Sequence, residues 1–326
     1  MKKFIIAVGL LLFAAVFMSG CVTEAEDPIV GIWSEAGPVT DPEGFDFDSG
    51  RFVFNADGTG FTLTRFAGEI VYVQVGFTWK NNGDGTYTIT NAVDGKVSLT
   101  KSGEFVLDGE DLIATSFPEA PVYHKEPAAE YMVGLWASEL FSYEDYEDIT
   151  GMVYFAEDGT GNVIFYGTEV MGIDDIFTLG FTWEEKDGKV SVVDETGDVT
   201  DFTLKNGELI YDADEKYHKY TIEDRLLGLW MSDEPSEEEG GVYDIVILIR
   251  PDGTGTEIWT APGSHVAAEK YYFTWEMVGS YTYQAVYNDG EVWDFTTVGL
   301  GLTDGEVTYS KVGYDVLSEY AQKVTA

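Results

Sequence analysis

The chain has 326 residues and a formal net charge of −41, with 59 acidic against 18 basic side chains. A negative field of that size opposes binding to nucleic acid and to anionic lipid headgroups, and it attracts cationic partners. Hydrophobic residues make up 44% of the chain and aromatic residues 15%, which excludes a disordered acidic tail.

Residues 1–21 have the pattern of a targeting segment. Lys2 and Lys3 precede a short apolar run over residues 4–17, and small residues then lead to Cys21. The apolar run is too short for an ordinary transmembrane helix. A signal peptide with this ending resembles the lipobox of lipoproteins, which implies that Cys21 becomes the first mature residue and carries a lipid. The alternative is an ordinary cleaved signal with an incidental cysteine.

Cys21 is the only cysteine in the chain, so the mature protein has no internal disulfide. Residues 22–28 then form a short tether before the first structural module. We therefore expect an extracytoplasmic protein that is held at the membrane through the lipid on Cys21.

Four short motifs occur three times in the same order. Gly-x-Trp begins at residues 31, 134 and 228, and Asp-Gly-Thr-Gly begins at residues 57, 158 and 252. Phe-Thr-Trp begins at residues 77, 181 and 273, and Tyr-x-Lys begins at residues 123, 217 and 309. Repetition of this kind predicts three copies of one module. We place the modules at residues 29–126, 127–220 and 221–326.

Apolar and polar residues alternate inside each module. In the strand that ends at the first Phe-Thr-Trp, Val73, Val75, Phe77 and Trp79 share one face. Such alternation predicts half-buried antiparallel strands, and Asp-Gly between two β-rich runs predicts a hairpin. Strands of ordinary length at this turn spacing give roughly seven or eight per module, enough for a small closed barrel. The sequence therefore predicts an all-β chain of three tandem antiparallel meander barrels.

Short helical segments are predicted outside the barrels. An acid followed by apolar residues precedes the second and third Gly-x-Trp, and each stretch suits one helical turn that plugs the next barrel. After the last barrel, Val316, Leu317, Tyr320 and Val324 follow helical spacing. We expect a short C-terminal helix there, packed on module three.

The motif order resembles the lipocalin, or calycin, superfamily. It is most similar to the short lipocalin-like domains of prokaryotic surface lipoproteins, which share the Asp-Gly-Thr turn and a basic residue at the end of the last strand. The resemblance covers all three modules and implies that this basic side chain lies on the indole of Gly-x-Trp. It assigns structural roles to Trp33, Trp136 and Trp230, and to Lys125, Lys219 and Lys311.

No catalytic or metal-binding pattern recurs across the modules. His124 and His218 occupy one slot inside Tyr-x-Lys, where the third module has Ser310, so we expect an outward-facing position. The acidic clusters at residues 46–48, 174–175 and 237–239 lack the spacing of a calcium loop, and we expect them to be solvated. We therefore expect no catalytic residue, no metal and no cofactor.

The sequence predicts a non-enzymatic binding or interaction protein, with a small apolar ligand or a cationic protein as partner besides the membrane, and no nucleic acid. Module three differs most from its copies, so Trp259, His265 and Trp293 are the candidate ligand contacts. One alternative is a carrier of a small apolar ligand in a barrel pocket, first of all that of module three. A second alternative is a hydrolase that uses paired acids.

Overall fold

The computed structural model describes residues 27–35, 39–40, 46–66, 71–91, 103–116, 120–139, 141–143, 146–166, 176–211, 215–238, 241–262, 267–279, 281–298 and 301–311. Within these residues the chain forms three closed antiparallel barrels, which confirms the predicted all-β fold. The predicted signal peptide, Cys21, most of the tether and the predicted C-terminal helix lie outside the described residues.

Barrel 1 closes because its first strand pairs with two others. Trp33 on β1 lies opposite Phe52 on one side and opposite Lys125 on the other. Eight strands form the ring, and β2 is a short extra strand that pairs with β3. The strands are β1 (Gly31–Glu35), β2 (Val39–Thr40), β3 (Asp46–Phe54), β4 (Thr59–Phe66), β5 (Val73–Asn81), β6 (Thr86–Asn91), β7 (Gly103–Asp108), β8 (Asp111–Ala114) and β9 (Val122–Lys125).

Barrel 2 repeats this topology with the same closure. Trp136 lies opposite Val153 and Lys219, and β11 is the short extra strand. The strands are β10 (Gly134–Ser138), β11 (Phe141–Tyr143), β12 (Tyr146–Phe155), β13 (Thr160–Tyr166), β14 (Ile176–Lys186), β15 (Lys189–Asp194), β16 (Val199–Lys205), β17 (Glu208–Ile210) and β18 (Lys216–Lys219).

Barrel 3 closes in the same register. Trp230 lies opposite Ile247 and Lys311, and β20 is the short extra strand. The strands are β19 (Gly228–Ser232), β20 (Ser236–Glu238), β21 (Gly241–Ile249), β22 (Thr254–Thr260), β23 (Ala267–Gly279), β24 (Thr282–Tyr287), β25 (Val292–Val298), β26 (Gly301–Thr303) and β27 (Thr308–Lys311).

The Asp-Gly-Thr-Gly motif forms the hairpin after the second ring strand. In barrel 1, Gly58 has a φ of +85°, and the Asp57 carboxylate accepts hydrogen bonds from the backbone N–H and the hydroxyl of Thr59. A Cβ on Gly60 would lie 2.4 Å from the ring of Phe77. The turn therefore needs its first glycine for backbone conformation and its second for close packing of Phe-Thr-Trp.

The two links between barrels form the predicted helical turns. Helix α1 (Ala128–Met132) places Tyr131 and Met132 in the core of barrel 2. The second link has a 3₁₀ turn (Glu223–Arg225), and the following Leu226 and Leu227 enter the core of barrel 3. Each link therefore plugs the barrel that follows it.

Barrel 1 contacts barrel 2 through a polar cluster on its outer wall. The Arg51 guanidinium binds both oxygens of Glu126, with Nε–Oε2 and Nη2–Oε1 distances of 2.7 and 2.8 Å. The same group lies 5.8 Å from the ring centroid of Tyr131 in α1. The Tyr131 hydroxyl donates to the carbonyl of Gly207 in a barrel 2 hairpin, at 3.0 Å. The first link is thus fixed to both barrels.

Barrels 2 and 3 pack wall to wall through equivalent strands. The outer faces of β10, β12 and β13 meet those of β19, β21 and β22, and Val71 of barrel 1 joins the same cluster. Tyr72 also pairs with Thr221 in the second link, since its N–H donates to the Tyr220 carbonyl. The barrel 2 members are Leu135, Ala137, Met152, Tyr154, Ala156 and Ile164, and the barrel 3 members are Leu229, Val246, Leu248 and Ile258.

Candidate functional site at the mouth of barrel 3

The closed end of each barrel is built around the tryptophan of Gly-x-Trp. The three indoles are buried, and each donates its N–H to the carbonyl four residues earlier, at 2.7 to 2.8 Å. The lysine ammonium nitrogens lie 5.7, 4.4 and 5.3 Å from the indole centroids of Trp33, Trp136 and Trp230. These distances are within the range of a cation–π contact.

The three lysines differ in burial. Lys125 is exposed and donates to the Val30 carbonyl, whereas Lys219 and Lys311 are 1% and 2% exposed. Burial lowers the pKa of Lys311 to about 7, and burial with the nearby charge of Arg51 holds the pKa of Lys219 well below its usual range. The Lys219 amine donates a hydrogen bond to the Val133 carbonyl, and the Lys311 amine donates to the Arg225 carbonyl and the Tyr220 hydroxyl.

The opposite end of barrel 3, which we call the mouth, has interior-facing acids. Glu257 on β22 pairs with buried Ile247 on one side and with Tyr271 on the other, and Trp259 pairs with Ile245 and Glu269. Paired residues of antiparallel strands share a face of the sheet. Glu257 and Glu269 therefore lie on the interior face, two positions apart along the ladder.

Equivalent positions in the other barrels follow from the same register. Glu257 stands where barrels 1 and 2 have Thr62 and Val163, and Glu269 stands where they have Val73 and Phe177. Trp259 and Tyr271 replace Thr64 and Val75 of barrel 1, and Phe165 and Leu179 of barrel 2. Two carboxylates at these interior-facing positions thus distinguish barrel 3 from its copies.

Aromatic rings surround these carboxylates. The ring centroids of Tyr243 and Trp259 are 5.4 Å apart, and those of Trp259 and Tyr271 are 5.2 Å apart. Tyr243, Trp259 and Tyr271 are all half-buried, so part of each ring faces solvent. We define the mouth cluster as Tyr243, Glu257, Trp259, Glu269, Tyr271 and Tyr287.

Hydrogen bonds orient both carboxylates. Trp259 Nε1 donates to Glu257 Oε1 at 2.5 Å, and the Tyr287 hydroxyl donates to Glu257 Oε2. The Tyr271 hydroxyl donates to Glu269 Oε2. The aromatic side chains thus provide ring surface and also hold the acids in place.

The mouth cluster has a negative electrostatic potential. The hydrogen bond to Glu269, followed by burial and the charges of Glu269, Glu257 and Asp289, raises the pKa of Tyr271 to about 12. Burial and the charge of Glu257 also raise the pKa of Tyr287. The nearby carboxylates thus contribute to disfavouring ionisation of both tyrosines, as expected for a site that already carries negative charge.

The structure brings together only part of the sequence-predicted site. Trp259 lies in the mouth cluster. Trp293 is 41% exposed and donates to Glu291, and it pairs with buried Ala285, so it lies on the interior face of β25, diagonal to Tyr287 of the cluster. His265 lies outside the described residues.

The histidine slot inside Tyr-x-Lys forms pairs with aspartates. His124 Nδ1 lies 2.6 Å from Asp111, and His218 Nε2 lies 3.0 Å from both oxygens of Asp224. The Ser310 hydroxyl donates to Asp233 at 2.6 Å in barrel 3. Among the residues that the structure describes, no group of three His, Cys, Asp or Glu side chains is arranged to hold a metal ion.

Sequence reasoning missed Glu257, Glu269 and the ring of Tyr243. A signal was present, because the two-residue period of β22 places Glu257 on the same face as Gly255 and Trp259. One copy has an acid at a position that faces the core, where the other two copies have apolar or neutral residues. Such a difference indicates that the position is not needed for core packing in that copy. Comparison of the three copies by strand register would have found it.

No protein-family model matches the chain, and no curated protein matches it. In the described part of the chain, no helix combines the length and the apolar composition needed to cross a membrane.

Proposed function

We propose that this chain is an extracytoplasmic lipoprotein that acts as a non-enzymatic binding protein, with a small-molecule site in the mouth of barrel 3. One observation carries the proposal. Interior-facing positions of β22 and β23 that are apolar or neutral in barrels 1 and 2 carry two carboxylates in barrel 3, beside the rings of Trp259 and Tyr271. Half-buried rings with a few oriented polar groups are typical of small-ligand sites.

The cores of the other two barrels support scaffold roles. In barrel 1, the ring of Phe52 lies within 5.0 to 6.1 Å of four other rings, those of Phe54, Phe77, Phe105 and Tyr123. In barrel 2, Phe155 contacts the rings of Trp136, Phe181 and Trp183. Because aromatic side chains fill their interiors, we assign these two barrels to stabilising and spacing the chain.

The barrels are proposed to be lipocalin-like in type. Closure of eight antiparallel strands, the buried Gly-x-Trp indole and the lysine on the last strand support this assignment. The family resemblance then favours ligand entry at the end away from the tryptophan, which is where the mouth cluster lies.

The lipid anchor is proposed from the lipobox-like sequence at residues 18–21. Replacement of Cys21 by Ser should move the protein from the membrane fraction to the soluble fraction and abolish incorporation of a labelled fatty acid. Retention of the Cys21→Ser chain in the membrane, with label incorporated, would contradict lipidation at this residue.

The binding proposal is tested by native mass spectrometry of the protein released from its membrane, followed by titration with neutral, anionic and cationic small molecules. We expect a co-purifying species or a saturable adduct that Trp259→Leu abolishes. Tyr272→Leu is the matched control, because Tyr272 is an exposed aromatic residue on the outer face of β23. The absence of any adduct across all three charge classes would refute a small-molecule site.

A further inference from the structure

The two acids of the mouth cluster lie on neighbouring strands, on the same face of the sheet. Glu257 pairs with Tyr271 and Trp259 pairs with Glu269, so the two acids are diagonal neighbours on adjacent strands. Diagonal neighbours of an antiparallel pair have Cα atoms about 7–8 Å apart. Two carboxylates on one interior face make this end of barrel 3 negative, which attracts a cation.

The aromatic rings restrict the kind of cation. Calcium takes six to eight oxygen ligands at roughly 2.3–2.6 Å, and the described residues contain no group of three suitable side chains. Faces of Trp and Tyr instead attract cations with apolar substituents, such as quaternary ammonium groups. Three contiguous rings beside two carboxylates therefore suit an organic cation better than a metal ion.

We infer that the mouth of barrel 3 binds a small organic cation with a substituted ammonium group. The ammonium carbons contact the rings of Tyr243, Trp259 and Tyr271, and Glu257 and Glu269 supply the opposite charge. This inference rests on the proposed binding function and specifies its ligand class.

The chain contains its own reference sites. Barrel 2 has Val163 and Phe165 where barrel 3 has Glu257 and Trp259, so it has neither this carboxylate nor this indole. Barrel 1 has Thr62 and Thr64 there. A cation that recognises the mouth cluster should therefore bind once per chain, which a titration measures directly.

The test uses choline and tetramethylammonium as probes, with 3,3-dimethylbutan-1-ol as the neutral carbon analogue of choline. Titrations at constant ionic strength, followed by calorimetry and tryptophan fluorescence, should give saturable binding of both cations with one site per chain. The neutral analogue should bind at least about tenfold more weakly, because it lacks the charge that the rings and acids recognise.

Two substitutions locate the site. Glu257→Gln keeps one acceptor oxygen for Trp259, and its amide NH2 can donate to the Tyr287 hydroxyl, while the negative charge is removed; it should weaken choline binding by about tenfold. Glu269→Gln, at an exposed position, should act in the same direction even if the first variant folds poorly. Glu276→Gln removes one exposed carboxylate from the same strand and should leave affinity unchanged.

The outcomes separate the inference from the function on which it rests. Equal binding of choline and its neutral analogue, or preference for an anion, would overturn the cation assignment while a binding site remains. If Glu276→Gln weakens choline binding as much as Glu257→Gln does, the effect comes from the net charge of the barrel. That result would overturn the proposed site. If no neutral, anionic or cationic ligand binds, the proposed binding function is wrong as well.

Discussion

Barrels 2 and 3 have the same topology, the same closure at Gly-x-Trp and the same four motifs, yet their interiors differ at the end away from the tryptophan. Barrel 2 has Val163 and Phe165 on the relevant strand, and barrel 3 has Glu257 and Trp259. The motifs thus maintain the closed end and the hairpins. The interior positions near the mouth differ between the copies, and each copy needs neighbours that suit the residues it has there.

The difference depends on neighbours as well as on the acid itself. Glu257 accepts hydrogen bonds from Trp259 and Tyr287. The residue of barrel 2 that corresponds to Tyr287 is Asp194, which lies opposite Phe181 as Tyr287 lies opposite Phe273. An acid at position 163 of barrel 2 would have the phenyl ring of Phe165 and the carboxylate of Asp194 at the positions where barrel 3 has its two hydrogen-bond donors. The acid in barrel 3 therefore depends on the donors around it, and barrel 2 lacks them.

The largest expected effect comes from moving the acid into barrel 2. Val163→Glu should lower the free energy of unfolding by about 3–5 kcal/mol, the usual cost of an uncompensated buried charge. Val163 is 9% exposed and belongs to the barrel 2 core. Chemical denaturation followed by tryptophan fluorescence measures the change.

The control for this substitution adds the same charge at the surface. Thr182→Glu, on the exposed face of β14, should change stability by no more than about 0.5 kcal/mol. Adding Phe165→Trp to Val163→Glu supplies an indole donor and should recover part of the loss. Equal stability of Val163→Glu and Thr182→Glu would show that the barrel 2 interior already accepts charge, and the contrast between barrels would fail.

The next effect concerns the buried lysines and depends on pH. The folded-state pKa of Lys311 is lowered from 10.5 to about 7, so the unfolded chain binds more protons between these values. The contribution of Lys311 to stability should therefore rise with pH across this window, by at most about 1.4 kcal/mol per pH unit. Unfolding of the natural chain and of Lys311→Met, compared from pH 6 to pH 10, isolates the slope.

Barrel 2 provides a second measurement of the same effect. The pKa of Lys219 is also lowered, by burial and by Arg51, so the comparison with Lys219→Met should give a slope of the same sign. A difference in stability that stays constant with pH in both comparisons would show that the buried amines remain charged. The cation–π contacts at Trp136 and Trp230 would then contribute fully.

Most of the fold could be predicted from the sequence because its signals are local. The hairpins depend on Gly58 and its equivalents, the strands on a two-residue period, and the plugs on short apolar segments before Gly-x-Trp. Repetition made each signal visible three times. The number of strands and the closure followed from these features through general rules of sheet geometry.

The candidate site was less predictable because it depends on register. Trp259 was identified as a distinctive residue of module three, but its partners come from other strands. The proximity of Glu257 to Tyr287 requires the pairing of three strands, and no spacing along the chain encodes it. The packing of barrels 2 and 3 through equivalent walls was likewise inaccessible, because outward apolar residues such as Leu248 resemble ordinary strand residues in sequence.

The smallest expected effect compares the two barrels at the slot inside Tyr-x-Lys. In barrel 2, the charge of Asp224 and its hydrogen bonds to His218 outweigh the burial of the imidazole and raise its pKa from 6.5 to about 9. The folded state therefore binds the extra proton, and the stabilisation is present below pH 6.5 and is lost as the pH rises to 9. This window is narrower than that of Lys311, so the total change should be smaller.

Barrel 3 has Ser310 in this slot, and its hydroxyl donates to Asp233 without exchanging a proton in this range. The stability difference between the natural chain and His218→Gln should shrink from pH 6.5 to pH 9, whereas that for Ser310→Ala should stay constant. Asp224 also accepts hydrogen bonds from Thr221 in the link, so His218 stabilises the connection between the barrels as well as barrel 2. A constant difference for His218→Gln would mean that Asp224 is held by Thr221 alone, and that the histidine slot is as neutral in barrel 2 as in barrel 3.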